Sequence, residues 1–496
     1  MSGQGREIEL KFLCAPADLG AVLAAAPAGD DECRELISVC FDTVDGDLQK
    51  AGVSLRVRES NGRRVQTLKR GQGMSREEHE ADIESLAPDP SLGPLPDLLP
   101  QMGPDVLKPA FHVRITRRQR LIRLGRTSIE LAIDLGEVQG GAGQAPISEV
   151  ELELKSGPPA ALFEMARELS QAAPLYLSFD GKSSQGQALV AGSRPQARRK
   201  ERVSLSPDAT AAEAFQAVAR GALAHIAGNA QILREGPQED AVHQLRVAAR
   251  RLRSTLSTFA EVIRGERADW VRGELRWLAR ACDDARNLDV FRAEILRPAR
   301  EMDTQPRGFE ALCAAVEAAR RRAARKVARA ASSQRFRALL LETAAWVETG
   351  GWLEDPGLRK PRQALATAFA AEALDRRLKK LGRRGRKLAE TDDAARHEAR
   401  IEAKKLRYAA EAFSSLYPQK AAERFIDRLK GLQDELGVLN DVATAEPLVA
   451  GLKLDADAAF AAGELVGLKA AETPRHLGRA ARALERLRET EPFWRR

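Results

Sequence analysis

The sequence predicts a chain of two unlike parts, a strand-rich α+β portion followed by an all-α portion, and three observations carry that prediction. From residue 7 to about 155, charged and apolar residues alternate with period two between Gly, Pro and Asp clusters, as half-buried strands require. Beyond Thr210 nearly everything is Ala, Leu, Arg and Glu at helical spacing, with sparse Gly and Pro. Between Val190 and Pro207 the chain reads Gly-Ser-Arg-Pro-Gln-Ala-Arg-Arg-Lys-Glu-Arg, polar and without a periodic apolar face, which marks a linker. With 496 residues, too many for one ordinary core, the expected division is 1–192, a linker at 193–207, and 208–496.

In order, strands are expected at 6–13, 37–42, 53–58, 64–70, 76–83, 111–118, 121–125, 128–134 and 147–155. The Pro- and Leu-rich stretch Ala87–Pro109 divides them as a loop with a short helix, and Leu162–Ala173 reads as helix. The helical part contains an internal repeat. Val-His-Gln-Leu-Arg-Val-Ala-Ala-Arg-Arg-Leu-Arg at 242–253 recurs as Arg-His-Glu-Ala-Arg-Ile-Glu-Ala-Lys-Lys-Leu-Arg at 396–407. Each copy is followed by an expected acidic turn, at 283–289 and 434–441, so two related helical bundles are expected at about 208–345 and 360–495.

A net charge of +8 and a pI near 9.3 point to an anionic partner. Aromatic residues are only 5%, too few for the stacking platforms of single-stranded nucleic-acid binders, so nucleic acid is disfavoured. Five cysteines without C-x-x-C spacing argue against a disulfide framework and a thiolate zinc site. No apolar run reaches membrane-spanning length and the N-terminus lacks an apolar signal region, so a cytoplasmic protein without membrane insertion is expected.

Along a strand, side chains alternate faces, which puts Glu7, Glu9 and Lys11 on one side and Ile8, Leu10 and Phe12 on the other. Arg56 and Arg58 oppose Leu55 and Val57; Arg76, Glu78 and Glu80 share a face; Glu149, Glu151 and Glu153 oppose Val150, Leu152 and Leu154. Each pattern alone suits a polar face in water. Together they segregate acids and bases by strand. Converging inside a barrel, such carboxylates would offer oxygen ligands to hard cations, and the basic groups would clamp phosphate.

The ordered series Glu7-Ile-Glu9-Leu-Lys11, Phe-Asp-Thr at 41–43, Leu-Arg-Val-Arg at 55–58, Leu-Lys at 68–69, Arg-Glu-Glu-His-Glu at 76–80, Ile-Thr-Arg at 115–117, Glu-Val-Glu-Leu-Glu at 149–153 and Lys182-Ser183 resembles the CYTH family, the triphosphate tunnel metalloenzymes. The resemblance covers roughly 5–192 and implies an eight-stranded antiparallel tunnel with charges inside and outer helices. It implies that Lys11, Arg56, Arg58, Lys69, Arg117 and Lys182 grip triphosphate. Glu7, Glu9, Glu78, Glu80, Glu149, Glu151 and Glu153 would hold Mg²⁺ or Mn²⁺, with Glu7, Glu9 and Lys11 as the catalytic strand. Asp134 is a further candidate, since Glu130, Ala132 and Asp134 would share a face. Lys182-Ser-Ser-Gln-Gly departs from the family's more usual Ser-Lys-Ala. Arg114 and Arg118 read as surface charges. Among the family's substrates, inorganic triphosphate is preferred because the two-part chain resembles bacterial inorganic triphosphatases; thiamine triphosphate, nucleotides and RNA ends are the alternatives, as is a scaffold without activity.

In the helical part, His243, Arg246, Arg250 and Arg253 fall within about an 80° arc, flanked by Arg251, opposite Leu245, Ala249, Leu252, Leu256 and Phe259. His397, Arg400, Lys404, Lys405 and Arg407 repeat the pattern opposite Ala399, Ala403, Leu406, Ala410 and Phe413. The duplicated His-x-x-Arg-x-x-x-basic-basic-x-Arg resembles the conserved-histidine α-helical (CHAD) family over about 205–493. That resemblance implies two pseudo-symmetric four-helix bundles whose basic helices bind inorganic polyphosphate, and polyphosphate granules as a destination. Many Lys and Arg contacts to a linear polyanion release counterions and give salt-sensitive binding. Arg286, Asp289 and Asp441 are expected to lock helices by ion pairs. Neither histidine has a second His or Cys at ligand spacing, so metal ligation is not expected there.

Overall fold

A computed structural model describes residues 5–60, 62–70, 75–98, 106–141, 143–192, 196–386, 388 and 392–495. Its contacts divide the chain into one unit of Met1–Gln196 with Leu340–Thr349 and a second of Ala197–Leu339 with Gly350–Arg496.

The first unit is built on one antiparallel sheet: β1 (Gly5–Leu13), β2 (Asp30–Asp42), β3 (Val53–Ser60), β4 (Arg63–Arg70), β5 (Ser75–Asp82), β6 (Lys108–Leu124), β7 (Thr127–Gly140), β8 (Gly143–Ser156) and β9 (Tyr176–Ser178). The order β5-β4-β3-β2-β6-β7-β8-β1 is closed by β1 pairing with β5, and β9 extends the free end of β1. Closure removes the exposed edges that an open sheet would present. Helices α1 (Leu19–Ala25), α2 (Asp47–Lys50), α3 (Leu95–Leu98), α4 (Ala160–Ala172) and α5 (Lys182–Val190) accompany it.

Outward apolar positions are covered. Leu10, Phe12, Val150 and Leu152 are buried, α4 packs on β8, and α1 on α4. Phe41, Leu55, Val57 and Leu68 pack with Leu48 of α2 and Leu95 of α3. The inward positions change character along the barrel. At one end they are apolar: Leu36, Cys40, Phe111, Val113, Ile115, Val138 and Ile147 form a cluster with Leu189 of α5 packed against it. Gly186 of α5 lies so close to the Phe111 ring that a Cβ there would stand 2.2 Å from Cδ2. Toward the other end the inward positions are charged.

Two expected strands, 111–118 and 121–125, are one strand, β6. Its polar stretch Arg117–Arg120 stays in the ladder because both neighbours pair with it, and Arg120 anchors to Asp31 at 2.5 Å. β2 begins well before the expected residue 37, since Asp30–Glu35 is polar on both faces and has no alternation to read. Elements β9, α1 and α5 are too short for periodicity to show.

The second unit is helical: α6 (Ala211–Glu235), α7 (Glu239–Thr258), α8 (Glu266–Ala281), α9 (Asp283–Phe291), α10 (Arg297–Arg300), α11 (Phe309–Ser332), the start of α12 (Gln334–Thr349), α13 (Arg359–Gln363), α14 (Ala366–Arg384), α15 (Asp393–Phe413), α16 (Gln419–Ala450), α17 (Ala456–Ala470) and α18 (Thr473–Arg488). The two repeats meet head to head: Ala211 N–H donates to Ala364 O at 2.8 Å and Ala366 N–H to Ala209 O at 2.7 Å, around the bridge Thr210–Leu365. Thr210 also caps α6 in a capping box with Glu213. Phe215 and Phe259 recur as Phe369 and Phe413 at the offset that separates His243 from His397. These four rings touch, with centroids 4.9 Å apart for Phe259–Phe369 and 5.5 Å for Phe259–Phe413. The core of the unit therefore sits where the repeats meet.

The expected acidic turns are helical. Residues 283–289 form α9, whose first turn carries Asp283 and Asp284 where the helix dipole favours them. Residues 434–441 run inside α16, where buried Leu432, Leu436 and Leu439 keep one apolar stripe despite Gly437. Before α6, the segment Ala197–Leu205 is strapped down: Arg198 N–H donates to Asn229 Oδ1 at 3.1 Å, Asn229 Nδ2 to Arg198 O at 3.0 Å, and Leu205 N–H to Ser415 Oγ at 3.0 Å. Gly228 leaves room for the Arg198 side chain. Among the described residues no helix is long and apolar enough to cross a membrane.

Candidate active site and polyanion cluster

The charged part of the barrel encloses about 510 Å³. Alternation brings Lys11, Arg56, Arg58, Lys69 and Arg117 to its wall, and Lys182, the first residue of α5, joins them. All six residues expected to grip phosphate therefore line one cavity. The exposed Arg114 and Arg118 lie on the other face of β6.

The expected carboxylates divide into three groups. Glu149 and Glu151 of β8 stand with Asp134 of β7, all buried, with oxygen atoms within 4.8 Å of one another. Three cations hold them. Arg117 donates to Asp134 through Nε and a terminal nitrogen, both at 2.7 Å, and to Glu151 at 2.5 Å. Lys182 Nζ lies 2.7 Å from Asp134, 2.7 Å from Glu149 and 2.8 Å from Glu151, and Lys11 Nζ 2.7 Å from Glu151. Burial works against every charge here, yet Glu151 is held well below the usual carboxylate range by Lys11, Lys182 and Arg117. Burial likewise opposes the charge on Lys182, but Glu151, Glu149 and Asp134 raise its pKa. The cluster brings three carboxylates and three basic side chains into one buried network.

One step along the barrel, Glu9 faces Glu153 across the β1–β8 ladder and Glu130 faces Glu153 across β7–β8; Lys155 reaches Glu153 at 2.7 Å. On the β4–β5 wall, Glu78 pairs with Lys69 at 3.1 Å and Glu80 accepts from Thr67 at 3.0 Å. Glu7 pairs with Arg76 in the β1–β5 ladder, but its side chain lies outside the described residues.

Opposite the acidic wall stand Arg56 and Arg58, whose Nε atoms are buried without a hydrogen-bond partner. The neighbouring Arg56 charge, then burial, brings the Arg58 guanidinium down to about 9. Arg34 and Gln119, joined at 2.8 Å, line the same cavity, and Arg34 Nε is also unpartnered. Sequence reasoning missed this pair because the polar start of β2 carries no alternation. The inward parity of β6, set by Phe111, Val113 and Ile115, was the signal that could have placed Gln119.

In the helical unit the opposed apolar residues of both basic helices are buried as expected. Arg246, Arg250, Arg400 and Lys404, from α7 and α15, crowd one another. Burial and then Arg250, Arg400 and Arg246 bring Lys404 down to about 6, and burial and then Arg246 bring Arg250 to about 10. Burial, Arg286 and Arg246 push His243 down to about 4. The remaining basic candidates have neighbours of their own. Arg251 and Arg407 turn to Glu411, Lys405 to Glu402 at 2.9 Å, and Arg253 stands near Arg276 and Arg280. His397 Nδ1 lies 2.9 Å from Asn440 Oδ1. Asp289 meets Arg320 at 2.7 Å, while Asp441 lies near Arg400 and Arg286.

An inorganic triphosphatase of Haemophilus influenzae is 30% identical over 194 residues, 37% of this chain and 55% of that protein, so the chain spans about half the length of this relative. The crystal structure of the CHAD domain of the plant Ricinus communis is 28% identical, covers 58% of this chain and 96% of its own, and superposes with a TM-score of 0.51. A Hippeastrum protein, classed as a proposed adenylyl cyclase with dominant triphosphatase activity, matches 38% of this chain and 97% of its own at 20% identity and a TM-score of 0.28. Family models match residues 5–184 as a CYTH domain and residues 217–450 as a CHAD domain. The closed barrel with charges inside and the duplicated basic helices thus identify the chain as a CYTH domain followed by a CHAD domain.

Proposed function

We propose that the barrel hydrolyses inorganic triphosphate to pyrophosphate and phosphate with a divalent cation, Mg²⁺ or Mn²⁺, and that the helical unit binds inorganic polyphosphate in the cytoplasm. The observation that carries the first part is the polarised cavity: buried guanidinium atoms without partners on one wall, and an acidic wall opposite. Burying such donors unpaired costs free energy that a polyanion would recover. The similarity to the Haemophilus triphosphatase supports the same reading.

The oxygen donors of Asp134, Glu149 and Glu151 fit a hard cation, and Glu9 and Glu153 extend the set. A bound divalent ion would neutralise developing charge on the phosphoryl oxygens. Lys11, Lys182 and Arg117 can then exchange carboxylate oxygens for phosphate oxygens, while Arg56 and Arg58 fix the chain from the other side. Water attacks the terminal phosphorus, the bond to the bridging oxygen breaks, and pyrophosphate leaves. The protein contributes position and fixed charge.

Phosphate release from triphosphate, with and without Mg²⁺ or Mn²⁺, tests this on the intact chain against Glu9→Gln and Glu151→Gln. Metal-dependent release lost in the variants is expected. A folded intact chain that releases no phosphate would leave a polyphosphate scaffold as the reading.

For the helical unit, the support is the four-cation cluster shared by α7 and α15. Neutralised by carboxylates only in part, it suits a linear polyanion.

A further inference from the structure

The helical unit holds a second cavity, of about 390 Å³, between the strap Lys200–Val203 and helices α6, α7, α15 and α16. Its inner pole is the carboxylate of Glu411, whose side chain is 6% exposed, with Lys200 Nζ at 2.6 Å, an Arg251 terminal nitrogen at 2.5 Å and Arg407 Nε at 3.9 Å. One carboxylate therefore faces three cations, a surplus of two positive charges in a half-buried space. Arg407 Nε is buried and makes no hydrogen bond. Arg202, Glu201, Glu423 and Lys430 also line the cavity, and Lys430 pairs with Asp427 at 2.8 Å. The ring of Tyr408 lies 5.2 Å from the Arg251 guanidinium carbon and 5.4 Å from that of Arg407. His225 is occupied by Arg198 O at 2.9 Å. The remaining wall is apolar, formed by Val203, Val218, Ala222 and Ile426.

We propose that this cavity is a second ligand site, separate from the Arg246–Lys404 cluster, that takes a small organic phosphomonoester. The dianionic phosphate meets Lys200, Arg251 and Arg407, and matches their surplus charge. The organic body lies on the apolar wall, which offers nothing to a bare phosphate chain. The volume is that of a small-molecule site. The pole is not duplicated: the position of Glu411 is held by Ser257 in the first repeat, so the internal symmetry that copies the basic stripe does not copy this cavity.

Calorimetric titration of the full chain with AMP, inorganic phosphate and adenosine tests the site. One AMP per chain is expected, at least about tenfold tighter than phosphate or adenosine. Lys200→Ala, in the strap, should weaken AMP about tenfold, the scale of one charged hydrogen bond. Ala222→Phe, which fills the cavity and leaves every cation in place, should abolish binding with an unchanged melting curve. Binding should persist in Arg58→Ala and Lys404→Ala, which alter the barrel cavity and the basic cluster. Equal affinity for AMP and phosphate, binding lost in Lys404→Ala but not in Lys200→Ala, or no saturable AMP binding by folded protein would each overturn the proposal.

Discussion

Arg58 illustrates how a side chain that is costly to bury can be the one a ligand would repay, on the reading that it grips a phosphate chain. It is buried beside Arg56 with its Nε unpartnered and its pKa brought to about 9. Arg58→Met should raise the melting temperature of the ligand-free protein while raising KM for triphosphate roughly 10- to 100-fold, the scale of one or two charged hydrogen bonds. Lys404, at about 6, is largely neutral at pH 8. A bound polyanion favours its protonated form, so polyphosphate affinity should rise as pH falls from 8 to 6, by up to about tenfold per unit for one proton. Lys404→Met should flatten that dependence, measured by calorimetry at three pH values. At this scale period-two alternation made the inward charges legible, Lys11, Arg56 and Glu151 among them. It did not show that Glu149 and Glu151 would gather with Asp134 while Glu78 and Glu80 stay on another wall, because strand order around a barrel is not written in any one strand. Nor could a helical wheel show that Arg251 would leave its stripe for Glu411, a partner far along the chain.

At the scale of elements, the sequence was readable wherever apolar residues kept a period. The opposed faces of α7 and α15 are buried as expected, and β1, β3, β4 and β5 fall within a residue or two of their expected bounds. It was unreadable where pairing rather than periodicity holds the backbone, as in the polar start of β2 and the arginine-rich middle of β6. Helix α5 joins these cases: its apolar residues make no stripe, and it is fixed by the fit of Gly186 on Phe111. Gly186→Ala should destabilise the barrel by about 1–3 kcal/mol through overpacking and reduce hydrolysis, because α5 delivers Lys182. Phe111→Leu in the same chain should restore part of the melting temperature. The strap before α6 makes a separate case. Asn229→Ala removes two of its anchors, and limited proteolysis should then cut within Ala197–Leu205 faster than in the parent protein.

Across the whole chain, the internal repeat was the most informative reading, since it anticipated the duplicated basic helices with Phe259 and Phe413 at matching places, though not their partners Phe215 and Phe369. If Arg246, Arg250, Arg400 and Lys404 all engage polyphosphate, the logarithm of affinity should fall with the logarithm of salt with a slope of about −3. Alanine in place of Arg400 should reduce that slope by about one unit. The apolar cluster of Leu36, Phe111, Val113, Ile115, Val138 and Ile147, with Leu189 of α5 against it, fills one end of the barrel interior. Among the described residues, the charged end is therefore where a phosphate chain would enter. If the barrel hydrolyses triphosphate as proposed, products leaving by that charged end retrace the path of the incoming substrate, and pyrophosphate should act as a competitive inhibitor in initial-rate kinetics.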